Sequence, residues 1–157
     1  MSETLWLVIA CGVIAVLYGL ITARQIISLS AGNERMQTIA AAIQEGAAAY
    51  LNKQYTAIAA VGVVVAIILF VTLGWTSAVG FLIGAILSGI AGYAGMLVSV
   101  RANVRTTEAS RKGLAEGLSV SFRSGAVTGM LVAGLALLAI AIYYGILSTN
   151  FSILPGE

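Results

Sequence analysis

The chain has no aspartate, no histidine and a single cysteine in 157 residues. Each shortage removes a class of chemistry. With Cys11 the only thiol, no internal disulfide can form, and no zinc-type spacing exists. Without His or Asp, metal binding and acid–base work would fall to glutamate alone. The six acids are Glu3, Glu34, Glu45, Glu108, Glu116 and Glu157, scattered along the chain. Magnesium–phosphate chemistry relies on carboxylates that converge on the metal, and no such pair is visible. A phosphate-cradling glycine loop of the Walker type is missing, as is any Ser/His or Cys/His nucleophile pair. The sequence therefore offers no catalytic, cofactor-binding or metal-ligating residue. Charge is also scarce. Only 9% of residues are charged, where soluble domains run near about a quarter. A net charge of +2 gives nucleic-acid binding no support.

What is abundant is apolar surface, 60% of residues. A soluble fold of this size could not hide that much. The ionisable residues cut out four uncharged stretches, at about 4–23, 55–73, 78–100 and 125–147. Each is close to the ~20 residues a helix needs to cross the hydrocarbon core. Lipid offers no partner for free backbone groups, so helices are expected. The ten-residue alternation of a transmembrane barrel is absent. The expectation is one all-α membrane domain, 1–157, with helical loops over 24–54 and 101–124. Residues 1–4 carry an acid and no basic residue, unlike a cleaved signal peptide. The first stretch therefore reads as a retained helix.

Orientation follows from where the cations sit. Arg24, Arg35 and Lys53 lie between the first and second stretches. Arg101, Arg105, Arg111, Lys112 and Arg123 lie between the third and fourth. The remaining connections have none. The positive-inside rule then puts both basic segments in the cytoplasm and both termini on the other side. Aromatic placement agrees, with Trp6, Trp75, Tyr143 and Tyr144 at the outer interface and Tyr50 and Tyr55 at the inner one.

Small residues recur every four positions, at Gly80, Gly84, Ser88 and Gly92, and at Gly125, Gly129, Ala133, Ala141 and Gly145. Such rows let helices approach closely in lipid, where apolarity alone does not drive association. The basic segments have helical periodicity too. Met36, Ile39, Ala40, Ile43, Ala47 and Tyr50 form one stripe, with Gln37 and Gln44 away from it. Leu114, Leu118 and Phe122 form another. Arg101 and Arg105 share one helix face, a mildly unfavourable pairing that calls for anionic company. No span contains an ionisable group of the kind that ion-coupled transporters place in the membrane. Cys11 lies within a span, where packing is its role.

Three blocks carry a resemblance. They are Gly32-Asn33-Glu34-Arg35-Met36 with Ile39 to Ala47 and Tyr50-Leu51; Phe81 to Ala85 with Gly95-Met96 and Arg101-Ala102-Asn103-Val104-Arg105; and Gly125 to Met130. In order and spacing they resemble the N-terminal quarter of the membrane-bound, ion-translocating inorganic pyrophosphatases. That resemblance implies a homodimer with about sixteen helices per subunit in two rings, by the family's pattern rather than by spacing here. It also implies magnesium, pyrophosphate hydrolysis at the cytoplasmic face and outward transport of protons or sodium ions, in a prokaryotic plasma membrane. The family's Asp-rich motifs have no counterpart in this sequence. The resemblance thus implies an N-terminal fragment of such a pump, contributing outer-ring scaffold helices to a core held elsewhere. Competing expectations are a stand-alone four-helix transporter, which would need a membrane-embedded carboxylate, and a non-catalytic membrane assembly protein.

Overall fold

A computed structural model describes residues 3–150. They form four helices: α1 over Glu3–Ile27, α2 over Glu34–Leu73, α3 over Trp75–Ser110 and α4 over Leu114–Asn150. All four are long and apolar enough to cross a membrane. Three run well past the apolar stretches. At 1.5 Å per residue, the 40 residues of α2 span about 60 Å, twice a hydrocarbon core of about 30 Å. The basic segments therefore do not form separate loops. They continue the spans as helix, and among the described residues the helices break at 28–33, at Gly74 and near 111–113.

Local chemistry explains those breaks. Asn33 caps α2, its side-chain oxygen accepting the Met36 N–H at 3.0 Å. Gly32 precedes it with φ of 75°. Between α2 and α3 the turn is one residue, Gly74, at φ 85° and ψ 176°. This region of backbone space is essentially reserved for glycine.

Successive helices run antiparallel. In space α1 packs on α4, α4 on α3, and α3 on α2, while α1 also touches α3 and α2 touches α3 alone. The buried residues of α1 are Gly12, Ala15, Gly19, Thr22 and Ile26. Those of α4 include Gly117, Val120, Ser124, Val127, Leu131, Gly134, Ala141 and Gly145. Both series step by three and four, the 3.5-residue repeat that winds packed helices left-handed. Ile26, Ala91, Val98, Ala102, Val127 and Leu131 make the core where α1, α3 and α4 meet.

α1 and α4 approach closely at a pair of glycines, Gly12 and Gly134. A Cβ built on Gly134 would stand 2.9 Å from the Gly12 carbonyl oxygen. The four-residue rows expected from the sequence contribute only in part. Gly80 packs under Tyr143 and Gly92 under Tyr55, but Gly84, Gly125 and Gly129 meet nothing within 4 Å. The reason is geometric. A step of four residues turns about 40° around a 3.6-residue helix, so a long row leaves the contact face. Gly145 is buried while Gly129 is exposed.

The apolar stripes differ as well. On α2 the contact line is Met36, Ala40, Gln44, Ala47, Ala48 and Leu51. Ile39, Ile43 and Tyr50 are more than half exposed. Leu114, Leu118 and Phe122 point away from the other helices, at 78%, 59% and 80% exposure. Ala40, Ala47 and Ala48 let α2 approach α3 around a buried Leu51, while Ile39, Ile43 and Tyr50 remain outward.

Candidate functional site

All eight cations sit at one end of the bundle, because that end collects the C-termini of α1 and α3 and the N-termini of α2 and α4. Its most organised feature is Arg105. The Nε of Arg105 donates to the carbonyls of Ile27 and Leu29, both at 3.1 Å. Its Nη2 donates to Ile27 at 2.7 Å, and its Nη1 to the Arg101 carbonyl at 2.7 Å. A helix leaves its last carbonyls without partners and carries negative potential there. One planar guanidinium therefore closes the end of α1 and locks it to α3. On the opposite side Arg123 donates to the Gln25 side chain, tying α4 to the same terminus.

Arg101 is one turn away and far less engaged. Its Nη1 donates to the Leu97 carbonyl at 3.1 Å. Arg101, Arg105, Gln37 and Gln44 surround a cleft of about 280 Å³, walled by Ala40 and Val104 among others. Gln37 donates to the Gly32 carbonyl at 2.9 Å. Sequence periodicity sets both glutamines away from the apolar stripe, and both line this cleft, Gln44 half-buried and Gln37 exposed. The ion pair formed among the described residues is Arg111 with Glu108, at 3.0 Å. No carboxylate engages Arg101 or Arg105 there.

A second cavity, about 1240 Å³, opens sideways between the apolar halves of α2 and α3. At its floor the Tyr55 hydroxyl donates to the Gly89 carbonyl at 3.1 Å. The Tyr55 ring stands edge-on to Tyr93, with centroids 5.4 Å apart. Tyr55, placed by the sequence at the inner interface, thus turns inward onto α3. The walls are aliphatic and small, suited to a lipid chain or a neighbouring helix rather than to an ion.

No group of three or more His, Cys, Asp or Glu side chains converges among the described residues. Glu34, Glu45 and Glu116 are exposed and apart, and Glu108 is held by Arg111. Magnesium, implied by the family resemblance, thus finds no matching ligand set among them. The three resembling blocks work as joints. Gly32 and Asn33 start α2, Arg105 closes α1, and Val127 is fully buried in the core. Thr128 fills the space over Gly95, where a Cβ would come within 2.7 Å. Sequence reasoning flagged these blocks without their contacts. It missed the Gly12–Gly134 crossing, whose only signal was the three-and-four spacing of small residues.

The fold defines an integral membrane protein, a four-helix assembly whose apolar faces are made for lipid or further helices. Residues 13–155 match the family model described as inorganic H+ pyrophosphatase, and the chain belongs to that family of ion-translocating membrane pyrophosphatases. It is 47% identical over 135 residues to a K(+)-insensitive pyrophosphate-energized proton pump of Methanosarcina mazei, covering 85% of this chain and 20% of the relative. It is 43% identical over 148 residues to a putative K(+)-stimulated pyrophosphate-energized sodium pump of Clostridium tetani, covering 94% of this chain and 22% of the relative. A K(+)-stimulated pyrophosphate-energized sodium pump of Thermotoga maritima is 41% identical over 115 residues, or 72% of this chain and 16% of the relative. The chain thus spans about a fifth of the length of these relatives.

Proposed function

We propose that this chain is the N-terminal scaffold segment of a pyrophosphate-energised ion pump. The hydrolytic and ion-gating residues lie in further helices of the same pump, and both ends of this segment face away from the cytoplasm. The observation that carries this reading is the pairing of high identity with partial coverage. The chain aligns with 20% of a proton pump's length while containing no aspartate. Relatives pump protons in one case and sodium ions in another, so this segment is common to both and does not select the ion. The open faces support the reading. In the 18-residue apolar window of α2 nothing is buried. Gly125, Gly129 and Ala133 leave a row on α4 where another helix can approach closely. The assembled pump is a homodimer that uses magnesium, held by residues outside this segment, in a prokaryotic plasma membrane.

The test is complementation. The Methanosarcina mazei relative, deleted for the matched segment, is co-expressed with this 157-residue chain in vesicles. Pyrophosphate hydrolysis and ion uptake should return with both pieces, and neither piece alone should hydrolyse above background. Hydrolysis by this chain alone would overturn the assignment.

A further inference from the structure

We infer that the cleft between α2 and α3 at the basic end binds a phosphate group. Two guanidinium groups border it, from Arg101 and Arg105, and among the described residues no carboxylate neutralises either. Two like charges one turn apart repel each other; the carbonyl end of α1 offsets the charge of Arg105, which leaves Arg101 to be balanced by solvent or an anion. Arg105 is committed to backbone carbonyls. Arg101 gives one N–H to Leu97 and keeps the rest of its donor fork for the cleft. Gln44, half-buried opposite, adds an amide donor from α2. Planar guanidinium donors match the oxygens of phosphate in pairs.

Size and depth narrow the ligand. A water occupies about 30 Å³ of liquid, so 280 Å³ is roughly nine waters. That holds one phosphate and part of its hydration, and falls below the ~300–1,000 Å³ of sites that enclose a drug-sized molecule. Arg101 is the first charge after the apolar stretch Ala78–Val100. Gln44 lies about three turns to the basic side of Tyr55. Both therefore stand at headgroup depth, where a lipid phosphodiester and a free phosphate can each reach them.

The experiment compares wild type, Arg101→Gln, Gln44→Leu and the control Arg111→Gln, all as the 157-residue chain. Arg111 is exposed, paired with Glu108 and outside the cleft. One arm measures, by native mass spectrometry, phosphatidylglycerol retained from mixed vesicles against phosphatidylcholine. The other titrates inorganic phosphate into the chain in pure phosphatidylcholine and reads ³¹P line width. Wild type and Arg111→Gln should show saturable binding in at least one arm. Arg101→Gln should weaken it by about tenfold or more, the scale of one charge-assisted hydrogen bond. Gln44→Leu, which keeps every charge, should weaken it by a few-fold and decides the matter if Arg101→Gln fails to fold. Binding in the first arm alone names a lipid as the source, and binding in the second names the free anion. Binding in neither arm overturns the site, as does equal loss in Arg111→Gln.

Discussion

Gly134 shows how much a single missing methyl group decides in this chain. Its Cβ position is occupied on three sides, by the Gly12 carbonyl at 2.9 Å, the Val16 Cγ2 at 2.9 Å and the Ala15 Cβ at 3.0 Å. Two of these partners are rigid at that point, so a larger side chain must push α1 and α4 apart. Gly129 lies on the same helix and meets nothing within 4 Å. In lipid no solvent effect forces helices together, and close packing carries association. Gly134→Leu should therefore cost about 1–3 kcal/mol, the usual penalty of overpacking, while Gly129→Leu should leave the isolated chain within about 0.5 kcal/mol of wild type. Loss of helical structure during titration into denaturing detergent measures both. Equal midpoints for the two variants would remove Gly12–Gly134 as the crossing. The sequence displayed both glycines equally. What separates them is angular position around the helix, which a spacing of four blurs and a three-and-four spacing keeps.

At the scale of elements, α2 stands apart. The other three helices share a core, whereas α2 leans on α3 alone. Its buried residues are few, Ala40 at 8% and Leu51 at 4% exposure. Tyr55 ties α2 to α3 by a hydrogen bond to the Gly89 carbonyl. Interhelical hydrogen bonds in membranes average about 0.6 kcal/mol. That is a modest share of stability for a helix with no other neighbour here. Amide hydrogen exchange in detergent should thus be fastest over the membrane half of α2 and slowest over α4. Tyr55→Phe should raise the exchange of α2 severalfold and leave α1 and α4 unchanged. Uniform exchange across all four helices would contradict the peripheral place of α2. The existence of four apolar helices was legible from hydropathy. Their true ends were not, because hydropathy marks where lipid stops and helix termini are set elsewhere, by Asn33, Gly74 and the Arg105 fork. The outward turn of Ile39 and Ile43 was hidden for a similar reason. The face that approaches α3 is the one that gathers Ala40, Ala47 and Ala48, a distinction that apolarity alone does not draw.

For the whole molecule, charge placement and helix length combine into one asymmetry. The turn between α2 and α3 is a single glycine without a nearby cation. The opposite end extends α2, α3 and α4 beyond the apolar stretches and carries all eight basic residues. A cation near a bilayer face with anionic lipid gains about 1 kcal/mol, and basic segments short of ~60 residues resist translocation. The energetics favour one orientation, with the basic end in the cytoplasm. Single-cysteine variants test it, starting from Cys11→Ser to remove the native thiol, itself exposed on α1. Ser77→Cys reports the turn beside Gly74, and Lys112→Cys reports the break between α3 and α4; both positions are exposed. An impermeant maleimide should label Ser77→Cys in intact cells and reach Lys112→Cys only after permeabilisation. The reverse pattern would invert the topology and place the Arg101 cleft on the outer face. There the anionic lipids and free phosphate of the cytoplasm could not supply it.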